Sequence, residues 1–166
     1  MEEKKTYTLK EVEEIVDKMA RTMARLYYFM AKEVIDAYGE EAKEIIRQAV
    51  YKYGASRGEE IRHQVLSAGE PPTVANLGKY YDLPLHLAWR STKARATENL
   101  LEKRVTYCPF AAQWQELAGE ELGKIYCIQD LSLRKAYNPN FKFEQFTNVL
   151  NNDEDCHTIL SLDEKE

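Results

Sequence analysis

The chain has 166 residues, a net charge of −5 and a pI near 5.4, which favours one acidic domain of ordinary size. This balance, without a face that gathers lysine and arginine, argues against a nucleic-acid partner. No apolar run reaches the roughly 18 residues of a membrane-spanning helix, and the first residues are too charged for a secretory signal. We therefore expect a cytoplasmic protein with no membrane partner.

The N-terminal half has the pattern of a long helical hairpin. Thr8 followed by Glu11 fits a capping box, and apolar residues recur at helical spacing from Leu9 to Val34. Gly39 is a natural stop, and a second helix is predicted from about Glu40. The apolar stripe of the first helix predicts an assembly element, through which the chain would form a homo-oligomer.

Within the second helix, Gly54 and Gly58 lie one turn apart with Arg57 between them. Two glycines lower helix stability, so the backbone there is expected to approach another group closely. Tight helix packing is the favoured interpretation, and contact with a ligand is the alternative. The planar guanidinium of Arg57 could bind a substrate carboxylate or form a surface ion pair.

The second half mixes helical and extended patterns. Pro84 interrupts "YDLPLHLAW", where His86 has mainly apolar neighbours and is more typical of a structural histidine. Alternation predicts one strand ending near Tyr107 and a second over "CHTILSL", with helices after Pro109 and from Glu120. The type of "FKFEQFTNVL" is ambiguous between helix and strand. These patterns predict a single α+β domain over 1–166, with a helical N-terminal half packed with a small antiparallel sheet and further helices.

Cys108 has the most distinctive position of the three cysteines. The residue before a proline favours extended geometry, and proline suits the first position of a helix. Cys108 should therefore end a strand at the N-terminus of the next helix, where the helix dipole favours a thiolate and hence a nucleophile. A buried, inert thiol is the alternative.

The other two cysteines suggest supporting roles. Cys127 lies three residues before Asp130, so the thiol and the carboxylate share a helix face. This pair suits acid–base or ligand work, and plain core packing of Cys127 is the favoured alternative. Cys156 opens the last strand, with His157 on the opposite face. Antiparallel pairing of this strand with the one ending at Cys108 could bring Cys108 together with Cys156 and His157. Zinc is a weaker alternative, because the cysteines lack the close pairing of structural zinc ligands.

Three segments then indicate a family: "VTYCPFAAQWQELAGEELGKIYCIQD", "YNPNFKFE" and "DCHTILSL". They resemble the L-2-amino-thiazoline-4-carboxylic acid hydrolase family. Upstream, "YGEEAKEIIRQAVYKYGASRGEEIR" and "YYDLPLHLAW" are similar to the same family. The resemblance covers about 38–162 and leaves the N-terminal helix, 1–37, outside it.

The resemblance implies a hydrolase that opens a small cyclic amidine, as in the conversion of aminothiazoline carboxylate to N-carbamoyl-L-cysteine. We expect cleavage of an amidine or amide-like C–N bond with Cys108 as nucleophile, no cofactor, and a small-molecule substrate. The alternative is a non-catalytic module that binds a small ligand or a metal through the same cysteines. The expected site residues are, for catalysis, Cys108, His157, Asp130 and Glu144, and, for substrate binding, Arg57, Cys127, Cys156, Asn138 and His86.

Overall fold

The computed structural model describes residues 6–162 and confirms the α+β architecture. Within these residues no helix is long and apolar enough to cross a membrane. The elements in chain order are α1 (Leu9–Tyr38), α2 (Ala42–Ser67), α3 (Val74–Lys79), α4 (Leu85–Ala88), β1 (Arg90–Ala96), β2 (Leu100–Tyr107), α5 (Pro109–Glu116), α6 (Glu120–Tyr137), β3 (Phe141–Gln145), a 3₁₀ turn (Val149–Asn151) and β4 (Cys156–Leu162).

The ends of α1 follow from the capping signals in the sequence. The Thr8 hydroxyl accepts a hydrogen bond from the Glu11 backbone N–H at 3.3 Å, and the Glu11 carboxylate accepts one from the Thr8 N–H at 2.7 Å. Gly39 ends the helix with a φ of 77°, a conformation that residues with a side chain rarely adopt. The predicted capping box and glycine stop are both confirmed.

Helix α1 carries an apolar stripe that the rest of the described chain leaves uncovered. It packs mainly against α5, through small residues such as Ala20 and Ala24, rather than along α2. Large apolar residues on another side of the helix are exposed: Ile15, Met19, Met23, Leu26, Met30 and Val34. Whether this stripe mediates assembly stays a prediction.

Helix α2 packs along α6, and the two glycines make this possible. A Cβ atom on Gly54 would lie 2.1 Å from Ser132 Oγ, and one on Gly58 would lie 2.1 Å from the Leu133 carbonyl oxygen. Neither position has room for a side chain. The favoured interpretation of the two glycines, tight helix packing, is confirmed.

The sheet is antiparallel throughout, in the order β1-β2-β4-β3. The predicted pairing of the last strand with the one before Cys108 is confirmed, since Val105 lies opposite Cys156. The ambiguous segment begins as β3. Strand β1 lacks an alternating apolar pattern and was not predicted. All seven of its residues are exposed, so a solvated edge strand supplies no such pattern.

Alternation along β2 and β4 separates two faces of the sheet. Leu101, Lys103 and Val105 point inward, together with Cys156 and Leu160 of β4. This inner face packs towards α6, so α6 and the sheet together enclose the region between the cysteines.

Candidate functional site

Cys108 lies where the sequence places it, after the last residue of β2 and directly before α5. Its backbone is extended, with φ −127° and ψ 117°, and Pro109 is the first residue of the helix. The side chain packs against the apolar cluster that contains Phe110 and Trp114. The predicted position at a helix N-terminus is therefore confirmed.

The expected thiolate at this position is not supported, because burial outweighs the helix terminus. Burial raises the pKa of the Cys108 thiol to about 11. Hydrogen bonds from the Ala111 backbone, the Trp89 side chain and the Phe110 backbone lower the pKa, but by less. The resting group is a thiol, and attack by Cys108 requires a base that removes its proton.

The other two cysteines also rest as protonated thiols. Burial raises the pKa of Cys127 well above its ordinary value, and the nearby carboxylate of Asp130 raises it further. Burial raises the pKa of Cys156 as well, against a lowering by the backbone N–H of Val149, which lies 3.5 Å from the sulfur. The Asn148 amide oxygen lies 3.8 Å from the same sulfur.

The three sulfurs lie close together. Each of Cys108, Cys127 and Cys156 lies near enough to another of them for their charges to interact. The amine of Lys103 interacts in the same way with Cys108 and Cys156, and with the carboxylate of Asp130. These five side chains form what we call the thiol cluster.

Lys103 and Asp130 are the titratable partners of the thiols. Burial, and then the charge of Arg134, lower the pKa of Lys103. Burial alone would raise the pKa of Asp130, but the charge and hydrogen bond of Arg134, aided by Lys103, hold it below its usual value. The cluster thus pairs a weakly basic amine with a carboxylate that stays ionised.

A cavity of about 600 Å³ lies beside the cluster, between the inner face of the sheet and the segment from α3 to α4. Lys103 and Arg134 line it and connect it to the thiols. The Asp130 side chain is surrounded by protein on most sides, and 36% of its surface is accessible. A small organic molecule would fit this volume.

His157 and Glu144 lie on the opposite face of the sheet, which corrects their expected role as acid–base groups. His157 Nε2 lies 2.8 Å from the Glu102 carboxylate, and its ring packs on Phe146 with the ring centroids 5.0 Å apart. Glu144 is exposed on β3, beside Ile159 of the same outer face. Because side chains alternate along a strand, the neighbour of an inward Cys156 points outward.

Arg57 was expected to bind a substrate carboxylate, but in the structure it binds the carboxylate of Asp82. Its Nε and Nη2 donate to the two Asp82 carboxylate oxygens at 2.7 and 2.5 Å, and its Nη1 donates to the Gln129 side-chain oxygen. The ring centres of Tyr53 and Tyr81 lie 5.5 and 5.6 Å from the guanidinium carbon. Arg57 therefore ties α2 to α6 and to the segment before α4, rather than binding substrate.

Asn138 and His86, the remaining expected contacts, lie apart from the thiols. Asn138 is buried after the end of α6, where its amide donates to the Pro72 carbonyl oxygen at 2.9 Å. Its own side-chain oxygen accepts from the Asn140 N–H at 3.0 Å, so it fixes a turn. His86 is exposed on α4 and lines the cavity, a position that a substrate-contacting residue could occupy.

Among residues 6–162 no group of three or more histidine, cysteine or acidic side chains has an arrangement that could hold a metal. The sulfurs of the thiol cluster are near enough to interact but do not form a ligand set. The zinc alternative therefore has no candidate site in the described part of the chain.

Sequence reasoning missed Lys103 and Arg134, although both had a signal. The alternation that placed Val105 and Tyr107 on one strand face extends back to Lys103, which makes it an inward lysine. Arg134 follows Asp130 by four residues and Cys127 by seven, so all three share a helix face. Charged residues at apolar positions were the usable signal.

Comparison with solved structures finds one that shares the fold and a second with weaker similarity. The phenol-responsive sensory domain of the transcription activator PoxR, crystallised with phenol, aligns with a TM-score of 0.55 and 11% identity over 86% of this chain and 74% of that one. Trafficking protein particle complex subunit 3 from Naegleria fowleri, covalently bound to palmitic acid, aligns with a TM-score of 0.48 and 10% identity over 87% and 95%. No curated protein matches the sequence.

A family model, in contrast, matches the sequence itself over 19–160. The match begins within α1, earlier than the motifs that start near residue 38, and it includes every member of the thiol cluster. It covers most of the chain, and its boundaries enclose the whole sheet apart from the last residues of β4. The chain belongs to the L-2-amino-thiazoline-4-carboxylic acid hydrolase family.

Proposed function

We propose that the protein hydrolyses a small cyclic amidine, with Cys108 as the nucleophile. The observation that carries this proposal is the convergence of Cys108, Lys103 and Asp130 beside a cavity, within the region that matches the family. The family name supplies the class of substrate, and the cluster supplies a nucleophile, a base and a fixed negative charge.

Lys103 is the best candidate for the base. Its pKa is lowered and the pKa of Cys108 is raised, so the two groups differ less in proton affinity than they would in water. We infer that a water molecule between them carries the proton from the sulfur to the amine. The carboxylate of Asp130 then stabilises the lysine cation that forms.

The N-terminus of α5 supports the sulfur when it becomes charged. The backbone N–H groups of Ala111 and Phe110 and the side chain of Trp89 lower the pKa of the Cys108 thiol. These donors favour the thiolate over the thiol, so they contribute most once the proton has left. The two backbone donors belong to α5, a helix that packs against α1.

The chemistry of the family's named substrate identifies the bond that breaks. In N-carbamoyl-L-cysteine both nitrogens remain on the former amidine carbon, so ring opening breaks the C–S bond rather than the C–N bond expected from sequence. Cys108 Sγ adds to the amidine carbon, and the ring sulfur leaves with a proton from Lys103. Water then adds to the same carbon, its oxygen stays on the product, and Cys108 leaves and regains its proton.

The test is turnover of 2-amino-thiazoline-4-carboxylate by the purified full chain, measured as the release of a free thiol. We expect Cys108→Ser to lower kcat by about 10³-fold or more, because a serine hydroxyl is a poorer nucleophile here. Lys103→Met should lower kcat by about 10²-fold or more, the usual contribution of a general base.

His157→Gln is the matched control, since His157 lies on the outer face of the sheet. We expect its kcat to stay within about threefold of the parent. Full activity of Cys108→Ser would refute the assignment of Cys108 as the nucleophile. A fall in kcat of His157→Gln equal to that of Lys103→Met would refute the assignment of Lys103 as the base.

A second candidate function is a non-catalytic module that binds a small ligand. The raised pKa of all three thiols favours it, because a protonated thiol is a weak nucleophile. This candidate predicts saturable binding of the aminothiazoline without thiol release, in the parent as in Cys108→Ser.

A further inference from the structure

Arg134 has a hydrogen-bonding edge that the protein does not use. Both of its hydrogen bonds are donated by Nη1, to the backbone and side-chain oxygens of Asp130. Only 9% of the side chain is exposed. Its Nε–H is buried and has no hydrogen-bond partner. A buried donor without an acceptor is costly, so an acceptor supplied by a ligand would stabilise this side chain.

The guanidinium is held in a fixed plane. Its carbon lies 4.1 Å from the centre of the Phe143 ring, and the ion pair with Asp130 fixes one end. The free edge, Nε with Nη2, has the geometry that pairs with the two oxygens of a carboxylate. Arg134 is thus positioned before any ligand arrives, which lowers the entropy lost on binding.

The cavity that Arg134 lines carries a surplus of positive charge. Lys79, Lys93, Lys103 and Arg134 line it, and Asp82 is the acidic residue among its lining residues. The Lys79 amine pairs with Glu70, and Lys103 is neutral when it acts as the base, so Lys93 and the free edge of Arg134 supply the lasting positive charge. The Asp82 carboxylate is already paired with Arg57. A concave site with this charge attracts small anions.

We propose that this cavity is a binding site for a small organic carboxylate, anchored by the free edge of Arg134 and attracted by Lys93 at the rim. Because Arg134 contacts Asp130 of the thiol cluster, an anchored acid lies beside the thiols. The inference rests on the proposed function only where it identifies the anion with the substrate's own carboxylate. The enzyme would then select acids and reject the corresponding neutral amidines.

The test is calorimetric titration of the full chain at pH 7 with two probes of equal shape. Cyclopentanecarboxylate carries the anion, cyclopentanecarboxamide does not, and neither can be hydrolysed as an amidine. We expect the carboxylate to bind at least tenfold more tightly than the amide. Inorganic phosphate, a tetrahedral anion, should bind at least tenfold more weakly than the carboxylate.

Two variants assign the binding to the residues named. Arg134→Lys keeps the charge but loses the planar fork, and should weaken carboxylate binding at least tenfold. Lys93→Gln, on an exposed edge strand, should weaken it about threefold without affecting folding. Arg95→Gln is the matched control on the same strand, because Arg95 pairs with Glu102 and does not line the cavity.

Equal binding of the carboxylate and the amide, or of the carboxylate and phosphate, would overturn the proposal. So would a loss in Arg95→Gln equal to that in Lys93→Gln. Titration of Cys108→Ser separates this proposal from the hydrolase: tight carboxylate binding by a chain whose parent has no turnover would refute the reaction and support the site.

Discussion

Gly58→Ala tests whether α2 and α6 are packed as closely as the structure has them. The new Cβ atom would lie 2.1 Å from the Leu133 carbonyl oxygen, against ordinary contacts of 3.4 Å or more, so the two backbones must separate by about 1.3 Å. Overpacking of this kind costs about 3 kcal/mol, and alanine returns about 1 kcal/mol through its helix propensity. The expected net loss in the free energy of unfolding is about 2 kcal/mol.

Thermal unfolding followed by circular dichroism measures this loss. For a chain of this size, 2 kcal/mol lowers the Tm by about 4–8 °C. Gly78→Ala is the matched control, because no atom lies within 4 Å of its Cβ position, and it should leave the Tm unchanged or slightly higher. If Gly58→Ala unfolds at the temperature of the parent, the close contact between the two helices does not exist.

Three further perturbations probe other parts of the molecule. Alkylation of Cys108 by iodoacetamide, followed by mass spectrometry, should rise about tenfold per pH unit from pH 7 to 10, because its pKa is about 11; a plateau below pH 9 would contradict the raised pKa. Asp82→Asn should lower the free energy of unfolding in urea by about 2 kcal/mol, because it leaves the buried Arg57 without its carboxylate; a loss under about 0.5 kcal/mol would mean that the pair contributes little. The sequence-based prediction of a homo-oligomer requires the parent to sediment as an oligomer and the double variant Leu26→Glu, Met30→Glu to sediment as a folded monomer, whereas a monomeric parent would end it.

The parts of the fold that depend on near neighbours in sequence could be predicted. Thr8 and Glu11 are three residues apart, and the hydrogen bonds of the capping box need nothing else. The position of Cys108 follows in the same way from the proline after it. Strand β1 could not be predicted, because an edge strand exposed on both faces has no apolar alternation to detect.

The candidate site could be predicted only in part, since its electrostatics come from distant residues. Position alone left an activated Cys108 and a buried thiol as alternatives. The burial that raises the pKa of the thiol comes partly from residues distant in sequence, such as Ala24 of α1 and Tyr126 of α6. Histidine is the usual choice of base near neutral pH. Because side chains alternate along β4, His157 points to the outer face of the sheet, away from Cys108. Strand alternation marks Lys103 as an inward residue, but its contacts with the thiols and with Asp130 come from elements distant in sequence.

Burial of the three thiols also bears on how long the protein survives in an oxidising cell. Peroxides react with the thiolate and hardly at all with the protonated sulfur. Cys108, at a pKa of about 11, holds only about one part in ten thousand as thiolate at neutral pH. The apolar surroundings that keep Cys108 protonated therefore also protect its sulfur from oxidation.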